Sequence, residues 1–364
     1  MDWMYRALVL LVISCPCALV ISTPVSVASA IGGASRRGVL IKGGKYLEAL
    51  GKIKAVAFDK TGTLTLGEPY IADIITFNGF TEKDILADAA GIEKFSSHPL
   101  AKSILNLAQK KGITPHIMAE YENIAGKGSK ANCLICDDVK HCVGNLKLIE
   151  SSGISIKEVL KETERLEKEG KTIVLVSKGD KIMGAMAIAD KIRDNAAAAI
   201  KKLNELGTRP VMLTGDNKYT ADFTAKQLSI QETYASLLPD EKVKKIKELK
   251  NKFGFTAMVG DGVNDAPSLA TSTVGIAMGA GGSDVAIETA DVALMNNNLL
   301  NIPYAINLGE KTLKTIKYNI TAALGVKAIF LVLAVFGLAN LGYAIGADSG
   351  IAILVILNSL RLFR

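Results

Sequence analysis

Lys54-Ala-Val-Ala-Phe-Asp59, running on into Lys60-Thr-Gly-Thr-Leu-Thr65, is a short apolar segment that ends on a carboxylate and is followed by Gly62. This is the pattern of a strand buried on both faces whose carboxyl end opens into a loop. Pro210-Val-Met-Leu-Thr214 before Gly215 and Asp216, and Thr256-Ala-Met-Val-Gly260 before Asp261, repeat the design. Three such strands deliver polar residues to one sheet edge, and a Lys-rich helical stretch, Asp240 to Lys252, lies between the last two. The expectation is a doubly wound α/β (Rossmannoid) domain with its site at the strand ends.

From about Glu68 to Lys178 the pattern changes. Helices are expected near Thr81 to Ala90 and from Pro99 to Lys111, then short alternating strands around Lys130 to Val143 and Thr172 to Val176. Residues 67–178 thus read as a smaller α+β domain inserted between two parts, 36–66 and 179–300, of the α/β domain. There is no internal repeat or low-complexity tract.

The 49% hydrophobic and 22% charged content excludes a disordered chain. Apolar residues concentrate in Ala7 to Ile31 and Ile320 to Leu360. The first segment is charge-free for roughly 25 residues, enough for one membrane span and too long for a signal peptide. The second, about 40 residues broken near Asn340, Gly342 and Gly346, suits two more spans. Residues 1–35 and 301–364 are therefore expected to hold three spans in a lipid bilayer. Arg36, Arg37, Lys42 and Lys45, with Lys311, Lys314, Lys317, Arg361 and Arg364, place the polar region and the carboxyl terminus in the cytoplasm of a multi-pass membrane protein. Much of the net charge of +7 sits in these flanks, which argues against a nucleic-acid partner.

Asp59 at a strand tip, with Gly62 freeing the backbone to approach a phosphate, can attack a γ-phosphoryl group. Anion then meets anion, so a divalent cation is needed; Asp261 and Asp265 are suited to hold Mg²⁺, with Lys242 and the Thr214 hydroxyl on the phosphoryl oxygens. Asp216 alone would read as a turn or cap residue. Taken together, Asp59-Lys-Thr-Gly-Thr, Thr214-Gly-Asp and Gly260-Asp-Gly-Val-Asn-Asp resemble the P-type ATPases of the haloacid dehalogenase superfamily. The resemblance implies ATP and Mg²⁺ as cofactors, a catalytic set of Asp59, Lys60, Thr61, Thr214, Gly215, Asp216 and Lys242, and Mg²⁺ at Asp59, Thr61, Asp261 and Asp265. Related phosphatases place a second Asp where Thr61 stands, and without that base an aspartyl phosphate should persist.

Glu93, Ser97-His98-Pro99, Gly126-Lys-Gly128 and Gly144-Asn145 resemble the nucleotide-binding domain of the heavy-metal-transporting branch. That implies ATP contacts at Glu93, His98, Gly126, Gly128, Gly144 and Asn145. Cys15-Pro16-Cys17 places a helix-opening proline between two thiols at membrane depth, and it resembles the same pumps. Lys327 and Asp348 are the charged residues inside the later apolar segments, costly unless paired or functional. Two thiolates and a carboxylate, Cys15, Cys17 and Asp348, suit Zn²⁺, Cd²⁺ or Pb²⁺ as transported ion, with Lys327 neutralising Asp348 when the ion has left. A Cu⁺ exporter is the nearest alternative; a membrane-anchored phosphatase and a non-catalytic metal-binding membrane protein are more distant ones.

Cys133-Leu-Ile-Cys136, with His141 and Cys142, has irregular spacing, and a turn at Asp137-Asp138 would send Cys133 and Cys136 to opposite faces. In a cytoplasmic domain, where disulfides rarely persist, these read as buried or idle thiols. The family's Thr-Gly-Glu loop and earlier spans do not occur in the chain. The resemblance therefore implies a fragment, a split pump or a mis-started gene product. Such a chain would take phosphate at Asp59 but need an amino-terminal half to complete transport.

Overall fold

The computed structural model describes residues 4, 10–11, 17–96, 99–134, 139–261, 265–279, 288–336, 338 and 340–363; Cys15, His98 and Cys136 lie outside them. The strands are β1 (Val39–Ile41), β2 (Ala55–Asp59), β3 (Thr65–Thr76), β4 (Met118–Ile124), β5 (Gly128–Cys133), β6 (Val139–Gly144), β7 (Thr172–Lys178), β8 (Lys181–Ile192), β9 (Arg209–Leu213), β10 (Glu232–Tyr234), β11 (Thr256–Gly260), β12 (Val274–Met278) and β13 (Val292–Leu294). The chain forms two compact units: Met1–Asp59, Asn195–Val211 and Pro239–Arg364 make one, Lys60–Asp194 and Met212–Leu238 the other.

The first unit is built on the order β1-β13-β12-β11-β2. β2, β11, β12 and β13 are parallel, with β1 antiparallel at the edge. Every residue of those four strands is buried, as continuous apolar runs in a sheet covered on both faces require. β9 starts beside β2, where Arg209 N–H donates to the Lys54 carbonyl at 2.8 Å. Helix Pro239–Phe253 has Asp240 and Glu241 in its first turn and Lys250 and Lys252 in its last, complementing its dipole. Its buried stripe is Lys242, Ile246 and Leu249, so helical spacing carries one lysine inward with the apolar residues.

Among the described residues three helices, Cys17–Arg36, Asn301–Val335 and Gly342–Phe363, are long and apolar enough to cross a membrane. The 35 residues of Asn301–Val335 extend about 52 Å, well beyond a hydrocarbon core of about 30 Å. That is longer than one span requires, and Lys311, Lys314 and Lys317 lie in its first half, past the domain boundary expected at 301. Asn340 caps the last helix, its Oδ1 accepting from Tyr343 N–H at 2.9 Å, while Gly342 and Gly346 lie within that helix rather than breaking it. Polar contacts join the spans: Ser26 Oγ meets Ser359 Oγ at 2.8 Å, and Asn319 Nδ2 donates to the same hydroxyl at 3.1 Å.

The second unit is a six-stranded antiparallel sheet in the order β3-β8-β7-β6-β5-β4. β8 pairs with both β3 and β7, so this sheet runs past the boundary expected at 178. The buried run Ile182–Ile188 has no period-two alternation and so mimics a strand of the parallel sheet. Helix Glu82–Glu93 is fixed by a capping box, in which Asp84 N–H donates to the Thr81 hydroxyl and Thr81 N–H to the Asp84 carboxylate. Ile85, Leu86, Ala89 and Ile92 bury one side of it with Val143, Val176 and Met186 of the sheet.

Gly51 and Gly309 allow the helices Gly44–Leu50 and Asn301–Val335 to touch at backbone distance: a Cβ on Gly309 would lie 2.5 Å from Gly51 N and 2.6 Å from the Leu47 carbonyl. Gly309→Ala is expected to destabilise the fold by about 1–3 kcal/mol through overpacking. Gly325→Ala, in the same helix with open space around its Cβ position, should be neutral or mildly stabilising. Thermal unfolding of both variants in detergent checks the contrast.

Candidate active site at the strand ends

Asp59 closes β2 and Asp261 follows β11, the parallel neighbour of β2. Asp265 precedes the short helix Ala266–Thr271 and approaches Gly260 so closely that a Cβ there would lie 2.7 Å from the Asp265 Cβ. Glycine at the strand end is thus what lets this carboxylate in. Oxygens of Asp59, Asp261 and Asp265 all lie within 4.8 Å of one another. Lys242 Nζ donates to Asp59 Oδ1 at 2.5 Å and to Asp265 Oδ1 at 2.9 Å.

Burial, and after it the charge of Asp265, push the Asp59 carboxyl up to about 7, against the opposing pull of Lys242. For Lys242 burial works against the charge, but Asp59 and Asp265 outweigh it and hold the ammonium above its ordinary value. Three crowded carboxylates against one ammonium form a hard-oxygen site lacking positive charge, and this donor set fits Mg²⁺.

The other residues expected at this site belong to the second unit. Lys60 and Asp216 form an ion pair there. Thr214 is buried, its hydroxyl accepting from Asp216 N–H at 3.1 Å, and its backbone is held by Tyr234 and Leu237. Gly62 takes φ 73°, in the left-handed region, and Thr61 is exposed. Two residues that sequence reasoning missed brace this loop. Arg193 donates through Nε to the Thr63 carbonyl at 2.9 Å and through a guanidinium nitrogen to the Gly62 carbonyl at 2.7 Å; Asp190 Oδ2 accepts from the Thr65 hydroxyl at 2.6 Å. The only local signal was polar residues closing a long apolar run.

Glu93, Gly126, Gly128, Gly144 and Asn145 all line one cavity of the second unit, of about 450 Å³ and so large enough for a nucleotide. Phe95 and Tyr121, also unforeseen, contribute aromatic rings 5.5 Å apart. A Cβ on Gly128 would lie 2.2 Å from the Val143 carbonyl, and one on Gly144 2.3 Å from the Lys127 carbonyl, so both glycines serve close strand approach. Asn145 caps the helix Leu146–Ser151 and donates to the Gly126 carbonyl at 3.0 Å, which fixes the cavity rim. Burial raises the pKa of Glu93, against a hydrogen bond from Ser96.

In the spans, Lys327 Nζ stands 3.4 Å from Asp348 Oδ1, so the two charges do meet. Cys17 lies in the helix Cys17–Arg36 and is partly buried.

The family model of haloacid dehalogenase-like hydrolases matches residues 53–272. Over its whole length the chain is 45% identical to a probable cadmium-transporting ATPase of Staphylococcus aureus (strain MRSA252), covering 50% of that protein. It is 44% identical to a zinc/cadmium/lead-transporting P-type ATPase of Escherichia coli (strain K12), covering 48% of it. A crystal structure of a zinc-transporting PIB-type ATPase in its E2.Pi state superposes on the whole chain with TM-score 0.83 at 42% identity, 58% of that structure being covered. The catalytic domain of the CPx-ATPase CopB-B covers 75% of the chain with TM-score 0.60 at 29% identity. The chain spans about half the length of the curated relatives it matches.

The Asp59 proton gives a pH signature. The folded chain retains it to about pH 7, whereas the unfolded chain releases it near the ordinary value of 3.8, so in this window the folded state binds more protons. In EDTA the wild-type chain should therefore lose stability relative to Asp59→Asn as pH rises from about 4 to about 7. A parallel pH dependence of Tm for the two proteins would contradict the raised Asp59.

Proposed function

Because the chain belongs to the haloacid dehalogenase-like hydrolases, and its relatives there are metal-transporting P-type ATPases, we propose that it accepts the γ-phosphoryl group of ATP on Asp59 to drive export of a soft divalent metal ion. The observation that carries this reading is Asp59 at the end of β2, hydrogen-bonded to Lys242 and crowded by Asp261 and Asp265. A carboxylate oxygen of Asp59 attacks the γ-phosphorus, the bond to the β–γ bridging oxygen breaks and ADP leaves. Lys242 favours the ionised Asp59 that this attack needs. Mg²⁺, when held by Asp59, Asp261 and Asp265 beside Thr61, supplies the positive charge that offsets the incoming phosphate. Lys60, Thr214, Gly215 and Asp216 serve the phosphoryl oxygens, and the cavity at Glu93, Gly126, Gly128, Gly144 and Asn145, with His98, takes the nucleotide. Thr61 offers no carboxylate to activate water, which favours a lasting aspartyl phosphate over simple phosphatase turnover.

Cys15, Cys17 and Asp348 are the proposed ligands of the transported ion, and Lys327 the group that balances Asp348 once the ion has left. The carboxylate favours Zn²⁺, Cd²⁺ or Pb²⁺ over Cu⁺. Basic residues flanking the spans support a cytoplasmic placement for the polar parts of both units in a multi-pass cell-membrane protein. Transport draws, beyond these spans, on the half of the relatives' length that this chain does not span.

Incubation with Mg²⁺ and γ-labelled ATP should give an acid-stable, hydroxylamine-labile label on the chain, lost in Asp59→Asn and reduced at least tenfold, roughly, in Lys242→Ala. An undiminished label in Asp59→Asn sinks the assignment. In the full-length pump, Lys327→Ala should slow ion release and lower metal-stimulated ATP hydrolysis; unchanged values for both would remove Lys327 from the ion site.

A further inference from the structure

Away from both sites, the second unit buries a cluster of metal-binding side chains that the proposed function does not use. Asp88 points inward from helix Glu82–Glu93, and Cys133 and His141 come from the paired strands β5 and β6. His141 stands opposite Ala131, two residues before Cys133, so the thiol and the imidazole share one face of the sheet. Asp88 is 1% exposed, Cys133 and His141 0%. A carboxylate oxygen of Asp88, Cys133 Sγ and a ring nitrogen of His141 lie within 4.8 Å of one another. Asp88 Oδ2 is 3.1 Å from His141 Nδ1, and Asp88 Oδ1 is 2.6 Å from Nδ1 of the half-exposed His116. Among the described residues His141 Nε2 is fully buried with no hydrogen-bond partner, an unfavourable state that a bound cation would relieve.

We propose that Asp88, Cys133 and His141 form a binding site for a Zn²⁺-class metal ion in the second unit, with His116 as the outer partner that orients Asp88. Sulfur, imidazole and carboxylate are the donors zinc prefers, and a histidine hydrogen-bonded to a ligating carboxylate fixes its orientation and tunes its charge. Bonds of about 2.0–2.3 Å need only a small inward rotation of side chains already this close. The sulfur of Cys133 is disulfide-bonded in the structure. A dithiol reductant supplies two electrons and two protons, becoming a disulfide itself, and leaves Cys133 as a thiol whose proton departs as the metal binds. The site therefore fills only in the reduced chain.

The test is Co²⁺ titration of the full chain in detergent, carrying Cys15→Ala and Cys17→Ala to remove the membrane thiols, reduced with a dithiol and freed of it under argon. A thiolate-to-cobalt charge-transfer band saturating at one Co²⁺ per chain is expected, displaced by Zn²⁺ and missing from the unreduced sample. Cys133→Ser should abolish the band, and His141→Gln should weaken apparent affinity by roughly tenfold or more. The absence of a band in the reduced parent overturns the proposal, and that measurement needs no cluster variant to fold. So does a band that survives Cys133→Ser, or one indifferent to His141→Gln, in variants whose circular dichroism matches the parent's.

Discussion

The buried ammonium of Lys242, shared between Asp59 and Asp265, is the contact on which the catalytic arrangement rests. Both carboxylates are buried, and the charge of Asp265 adds to burial in raising the Asp59 carboxyl. Even with that cation present the Asp59 carboxyl is pushed up to about 7; Lys242 opposes the shift and favours the ionised form. The sheet exists to make this contact possible: β2 and β11 run parallel and adjacent, ending at Asp59 and Gly260, while helix Pro239–Phe253 turns Lys242 inward on the stripe that buries Ile246 and Leu249.

How much of this could be read from sequence follows from the range of each signal. β2, β11 and the Asp59, Asp261 and Asp265 set were legible because an apolar run ending on a polar residue is local, and the strand that carries it is nearly context-free. Helix Glu82–Glu93 was legible to within a turn because Thr81 and Asp84 write its start into four residues. β8 was misassigned because burial on both faces erases alternation, and only its pairing with β3 and β7 reveals which sheet it joins. The Asp88, Cys133 and His141 cluster escaped for the same reason. The sequence shows a Cys-x-x-Cys pattern across a turn, but the partner that matters, Asp88, comes from a helix 45 residues before Cys133, and no local period points at it.

The conformational punctuation divides similarly. Gly62, Gly126 and Gly128 sit at positive φ, which the loop expected after β2 suggested for Gly62 alone. Gly342 and Gly346 read as breakers yet continue a helix, because a backbone in an apolar surrounding must satisfy its own hydrogen bonds and helix is the conformation that does so within one segment. Asn340, with a side chain able to cap, marks the true boundary.

The same device occurs at both ends of the first unit. Lys242 stands against Asp59 and Asp265 at the sheet edge, and Lys327 stands against Asp348 between the spans. In each case a carboxylate proposed to bind a cation is held next to a tethered one. A tethered ammonium neutralises the site when no ion is present, and its flexible stem lets it yield when a divalent ion brings more charge. A permanent hydrophobic packing would exclude the ion; an unpaired carboxylate would protonate or bind it without release. Under the proposed function, a lysine within a few ångströms is the intermediate solution that lets each site take up and release its ion.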